Sequence, residues 1–158
     1  MSFVSALLQE AIAHDETVAI LGCGSPLRGD DAAGSAIAEA LSDLSDRACA
    51  FIGGAAPENL TGEIKRFKPG LLLVIDAIDM GIAPGEVRII STDEIGGVSF
   101  STHILPLPII IDYLSREIGC RIVLLGIQIA SLEFMADMTP AVAATVDALT
   151  TELRTLLQ

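Results

Sequence analysis

The 158-residue chain has no tryptophan, one tyrosine and five phenylalanines, so aromatic side chains supply 4% of it. Hydrophobic residues nevertheless make up 51%, which requires an aliphatic core of the kind found where a parallel sheet is covered on both faces. Long apolar runs are also missing. Mean hydropathy is high at +0.61, yet stretches such as Gly70–Ile75 and Ile104–Ile111 fall short of the roughly 18–20 residues a spanning helix needs. Basic residues are few, nine against twenty-one acidic, for a net charge of −12. Nucleic acids and anionic membranes both call for a positive surface, so neither is an expected partner. None of the nine precedes Arg28. The chain therefore lacks the charged start of a secretion signal, and a soluble, cytoplasmic protein is expected. Its three cysteines, Cys23, Cys49 and Cys120, show no CxxC spacing and suit a reducing compartment better than disulfides or a zinc knuckle. With only His14 and His103, chemistry that needs imidazole has two candidates.

What is present alternates. The length suits one domain spanning residues 1–158, and no repeat, low-complexity tract or linker divides it. Ser2–Ala13 places Val4, Leu7, Leu8, Ala11 and Ile12 on one helical face. Thr17–Cys23 is a short apolar strand, Asp31–Leu44 returns to helical spacing, and Ala48–Gly54 is a second strand. Pro57–Phe67 reads as a short helix with proline at its first position. Gly70–Asp76 is the clearest buried strand. Only Ala77–Glu86 separates it from a fourth strand at Val87–Ser91, too few residues for a parallel return. That strand is expected to run antiparallel, at an edge marked by Arg88. A polar loop over Thr92–Thr102, a helix from Pro106 to Ile118, a fifth strand at Arg121–Ile129 and a helix at Thr139–Leu157 complete the chain. Thr139 is the expected N-cap of the last helix, with Pro140 behind it. The pattern predicts a three-layer α/β/α sandwich around a mostly parallel five-stranded sheet, with any ligand at the carboxyl ends of the strands.

Three features meet at that edge. The loop after the first strand reads Gly22-Cys23-Gly24-Ser25-Pro26-Leu27-Arg28-Gly29-Asp30-Asp31. Its Gly-x-Gly resembles a dinucleotide fingerprint, but Leu27 replaces the third glycine. Two acids also stand where a pyrophosphate would need a positive helix terminus. One of the pair suits helix capping, which leaves the other as a candidate ligand. Asp76 closes the third strand and faces the same crevice. His103 precedes the helix that must start at this edge, and the eleven-residue loop before it spans up to about 36 Å. His14 lies at the opposite edge, near a helix C-terminus where a cation is favourable. An acid of the Asp30–Asp31 pair, Asp76 and His103 together suit a divalent ion of the zinc or nickel kind, with coordination positions left open. The chain holds neither an HExxH helix nor a Gly-x-Ser-x-Gly elbow. Cys23 has no histidine beside it in sequence and reads as a packing residue.

In combination, Gly24–Asp31, Gly53-Gly54-Ala55-Ala56-Pro57-Glu58-Asn59, Val74-Ile75-Asp76-Ala77-Ile78-Asp79, Ser101-Thr102-His103 with Leu105-Pro106-Leu107, and Gly126-Ile127-Gln128 resemble the [NiFe] hydrogenase maturation endopeptidases. They are most similar to the branch serving hydrogenase 3 of formate hydrogenlyase. The resemblance implies a phosphorylase/hydrolase-like sandwich with a mixed five-stranded sheet, order 2-1-3-5-4, the fourth strand antiparallel. It implies an endopeptidase that removes the C-terminal extension of the hydrogenase large-subunit precursor after nickel insertion. Asp31, Asp76 and His103 would contact the metal, and that metal would be nickel brought by the substrate. Ser25, Ala32 and Ile129 depart from the usual Asn, Gly and Pro of the family, and none of them is a ligand. A water polarised by nickel, or held at Asp31 or Asp76, is expected to attack the peptide carbonyl, with the same carboxylate as general base. A non-catalytic nickel-binding assembly module is the alternative. A small-molecule hydrolase or phosphorylase ranks last, because Arg28 is the only cation in the candidate loops.

Overall fold

A computed structural model describes residues 2–91, 99–100 and 106–158. The first strand β1 (Val18–Cys23) pairs in parallel with β2 (Ala48–Gly54) on one side and β3 (Leu71–Asp79) on the other. Strand β3 pairs in parallel with β6 (Arg121–Gln128), and β4 (Val87–Ile90) closes the sheet antiparallel to β6. A two-residue strand, β5 (Ser99–Phe100), pairs antiparallel with Ile78 and Asp79 at the end of β3. Counting the long strands alone, the order is the expected 2-1-3-5-4. The antiparallel fourth strand follows from its connection of seven residues after β3, too short for a crossover.

Helices α1 (Phe3–Ala13), α2 (Ala33–Ala40) and α5 (Pro140–Leu157) cover one face of the sheet; α3 (Thr61–Phe67) and α4 (Leu107–Ile118) cover the other. Alternation along β3 divides the two cores. Leu71, Leu73, Ile75 and Ala77 face α1, α2 and α5, whereas Leu72, Val74 and Ile78 face α3 and α4. All are fully buried, and each large aliphatic side chain contributes roughly 1.5–3 kcal/mol by leaving water.

Several boundaries differ from the sequence expectation. Strand β3 continues through Ala77-Ile78-Asp79, because β6 stays in register as far as Ile78 opposite Gln128; Asp76 therefore lies inside the strand. The Asp31–Leu44 helix is a 3-10 turn at Gly29–Ala32 followed by α2, which stops at Ala40. The Pro57–Phe67 helix is likewise a 3-10 turn, Pro57–Leu60, leading into α3. Thr139 is the N-cap residue of α5, but its hydroxyl does not cap the helix; it donates to Asp30 instead. Of the loop expected over Thr92–Thr102, residues 92–98 and 101–102 lie outside the described residues, and β5 interrupts it.

Candidate active site

The carboxyl edge of the sheet is built by close backbone approach. A Cβ on Gly34 would sit 2.3 Å from the Ile75 carbonyl oxygen and 2.5 Å from that of Cys23. One on Gly22 would sit 2.0 Å from the Gly34 oxygen. These glycines let the start of α2 rest directly on β1 and β3, which accounts for the Gly-rich loop without a nucleotide. Gly24, at φ +120°, runs so close to Asp31 that a Cβ would meet its carbonyl oxygen at 1.7 Å. Ser35 fastens the same corner from below. Its hydroxyl donates to the Gly24 carbonyl at 2.8 Å and accepts from the Gly54 N–H at 3.2 Å, joining the β1 and β2 loops.

The two adjacent acids separate cleanly. Asp30 is fully buried and turns toward the chain ahead of α5. Its carboxylate accepts from the N–H groups of Ala130 (2.8 Å), Ser131 (3.0 Å) and Thr139 (2.7 Å), and from the Thr139 hydroxyl at 2.9 Å. Burial by itself would raise this carboxyl; the N–H groups of Ala130, Thr139 and Ser131 and the Thr139 hydroxyl outweigh it and hold the group below its ordinary value. Asp30 is the structural member of the pair, although it caps the distant α5 segment rather than its own helix. Asp31, also fully buried, accepts from the Ser25 N–H at 2.9 Å.

Asp76 is fully buried. By the alternation of β3 its side chain lies on the α3/α4 face, between Val74 and Ile78 in that row. Cys23, last residue of the neighbouring strand, points to the same face. Burial, followed by the negative charges of Asp76, Asp31 and Glu58, pushes the Cys23 thiol well above its ordinary value. The sulfur is thus a buried, protonated packing group and not a nucleophile. The charges of Asp31 and Asp76 both act on this one buried thiol. His103 lies outside the described residues, but α4, four residues beyond it, packs on the face that carries Asp76. Among the described residues no group of three or more histidine, cysteine or acidic side chains converges as a metal site. The described part of the expected set is two carboxylates. His14 is at the opposite edge as expected: it ends α1, with Nδ1 2.8 Å from the Glu10 carbonyl oxygen.

Two further residues shape this rim without having stood out as site residues in the sequence. Gln128 is buried; its amide oxygen accepts from Met80 N–H at 2.6 Å, while its nitrogen donates to Asp79 and to the Ile129 carbonyl. It fixes the chain as it leaves β3, a role that its place at the end of the fifth apolar strand does not announce. Glu58 follows Pro57 in the turn after β2, where an acid reads as an ordinary first-turn residue.

Comparison with known proteins places this rim in context. A family model described as hydrogenase maturation protease matches residues 35–155. The hydrogenase 3 maturation protease of Escherichia coli strain K12 is 38% identical over 133 residues, covering 83% of this chain and 85% of its own. Among solved structures, the [NiFe] hydrogenase maturation protease HycI from Thermococcus kodakarensis is similar with a TM-score of 0.84 at 31% identity, over 96% of this chain and 98% of that one. The endopeptidase HycI from Escherichia coli is similar at 0.77 and 37%, over 88% and 90%. By these matches, the chain belongs to the hydrogenase maturation protease family and is a peptidase.

Proposed function

We propose that this peptidase removes the C-terminal extension of a [NiFe] hydrogenase large-subunit precursor, and does so only after nickel has been inserted. The observation that supports this reading is the placement of Asp31 and Asp76, both fully buried, at the carboxyl edge of the sheet, where both charges act on the buried Cys23 thiol. Buried carboxylates drawn together repel each other, and a cation shared between them relieves that repulsion. With the imidazole of His103 they make half of a coordination sphere. Such a set binds well when the substrate brings the ion and the remaining ligands, so nickel acts as the signal that the precursor is loaded. Carboxylate and imidazole donors match nickel's preference for N and O ligands. In this arrangement Asp31, Asp76 and His103 hold the precursor by its metal and present the scissile peptide to water at the rim.

Intact-mass analysis of a large-subunit precursor, offered with and without nickel, tests the proposal. Expected outcomes are loss of a C-terminal fragment from the nickel-loaded form alone, and no loss with Asp76→Asn or Asp31→Asn. Cleavage of nickel-free precursor at the same rate would end the nickel-sensing reading. A nickel-dependent complex in which the precursor stays whole would favour the assembly-module alternative.

A further inference from the structure

Two loops at the carboxyl edge of the sheet bring exposed apolar residues together. Met135 and Phe134, between β6 and α5, are the most exposed large hydrophobic residues among those described, at 71% and 62%. The Met135 N–H donates at 2.7 Å to the carbonyl of Leu27, itself 51% exposed at the tip of the loop after β1. Apolar side chains exposed singly need no account, but a group gathered from two loops does. Local structure does not supply one. Glu133–Ala136 is a turn closed by the Ala136 N–H on the Glu133 carbonyl at 3.2 Å, and Phe134 and Met135 fill its two central positions. Such positions favour Gly, Pro, Asn or Asp. Met135 also has φ +65°, a left-handed conformation in which an L side chain crowds its own backbone. Turns that need it at this position leave it to glycine or asparagine. Both residues therefore weigh against stability, Met135 through its backbone and both through apolar surface left in water. Strain kept at such a turn points to function.

The ridge is held in place and tied to the candidate site. The Asp30 N–H donates to the Ser131 carbonyl at 2.9 Å, and the Ser131 hydroxyl accepts from the Glu133 N–H at 3.2 Å. On the other loop, the Ser25 hydroxyl accepts from the Leu27 N–H at 3.2 Å while the Ser25 N–H donates to the Asp31 carboxylate at 2.9 Å. One residue thus links Leu27 to Asp31. Methionine and aromatic side chains are enriched where proteins meet, and a peptidase must hold a polypeptide at this rim. A net charge of −12 opposes a second copy of the chain or an anionic membrane as the occupant. We propose that Leu27, Phe134 and Met135 form a docking ridge that takes an apolar segment of the precursor polypeptide and selects which substrates bind. This deepens the function proposed above; it rests on the precursor as substrate and not on the nickel requirement.

Steady-state cleavage of a large-subunit precursor by the full chain, read by intact mass, tests the ridge. Met135→Gly suits the left-handed backbone and keeps the N–H that reaches Leu27. Its melting temperature is therefore expected to equal or exceed that of the unsubstituted protein. Its KM is expected to rise at least about tenfold, the scale of one large apolar side chain withdrawn from an interface. The effect should fall on KM rather than kcat, as for contacts that ground and transition states share. Phe134→Ser is expected to act likewise, and Met135→Leu to recover most of the affinity that Met135→Gly loses. Ile12→Ser removes an exposed apolar residue at the opposite edge of the sheet and is expected to leave KM native. Native KM in both Met135→Gly and Phe134→Ser would overturn the ridge. So would a fall in kcat at unchanged KM, or an equal rise in KM with Ile12→Ser. Equal cleavage of nickel-free and nickel-loaded precursor would end the nickel reading, while the KM comparison still decides the ridge. A precursor that the unsubstituted protein neither binds nor cuts would overturn the proposed function and the ridge together.

Discussion

At the scale of single residues, the neighbouring acids Asp30 and Asp31 show how far apart two adjacent carboxylates can be in role. Asp30 accepts three backbone N–H groups and a hydroxyl from the segment entering α5. Asp30→Asn presents an amide to some of those donors and is expected to cost on the order of 1.5–3 kcal/mol of unfolding free energy, measured by denaturant titration near pH 7. The pH dependence carries a sign. Because the folded carboxyl is held below its unfolded value of about 3.9, its contribution is complete above that value and is lost as pH falls toward the folded one. Stability of the unsubstituted protein should thus fall more steeply between about pH 5 and pH 3 than that of Asp30→Asn. Cys23 makes the opposite case. Its thiol is buried and raised, so Cys23→Ala is expected to leave cleavage within a few-fold of native while lowering stability by about 1 kcal/mol. A hundredfold loss of activity in a well-folded Cys23→Ala would return the sulfur to the mechanism.

At the scale of elements, the join between β1, β3 and α2 is the tightest part of the molecule. The Cβ of Gly34→Ala would collide with the carbonyl oxygens of Ile75 and Cys23, backbone atoms that cannot turn aside as a side chain can. Separation of α2 from the sheet would move Asp31, which ends only two residues before that helix begins. We expect Gly34→Ala to lose at least about 1–3 kcal/mol and to lose cleavage even where it still folds, read by thermal melting and by precursor mass. Element type was legible from periodicity for the five longer strands, which are largely short apolar runs, and for the long helices, which repeat their apolar residues at three and four; the two-residue β5 fell in an expected loop. The exceptions have local causes. Strand β3 outran its apolar segment because hydrogen bonding to β6 continues past the charged Asp76, and the 3-10 starts of two helices leave no trace in apolar spacing. Thr139 holds the N-cap position as expected, because Thr-Pro ahead of a helical stretch signals a boundary, but only the folded chain puts Asp30 within reach of its hydroxyl.

At the scale of the whole molecule, a net charge of −12 surrounds a rim made of acids. Long-range attraction to a basic substrate tail would follow from it. Association with the precursor is then expected to slow several-fold when salt is raised from about 50 to 500 mM, since the Debye length shortens from over ~10 Å to a few ångströms. A salt-independent association rate in stopped-flow mixing would remove that contribution. No helix among the described residues is long and apolar enough to cross a membrane, in keeping with the short apolar runs. Composition, charge, the alternation of strands and helices, the antiparallel fourth strand and the chemical kinds of the candidate groups were all determined by the sequence alone, because each depends on neighbours within a few residues or on simple sums. Which of two adjacent acids turns to the segment ahead of α5, and what the Gly-rich loop is for, were decided only by tertiary structure. Those facts depend on side-chain direction and on backbone approaches between segments from 12 to more than 100 residues apart, and no local pattern encodes either.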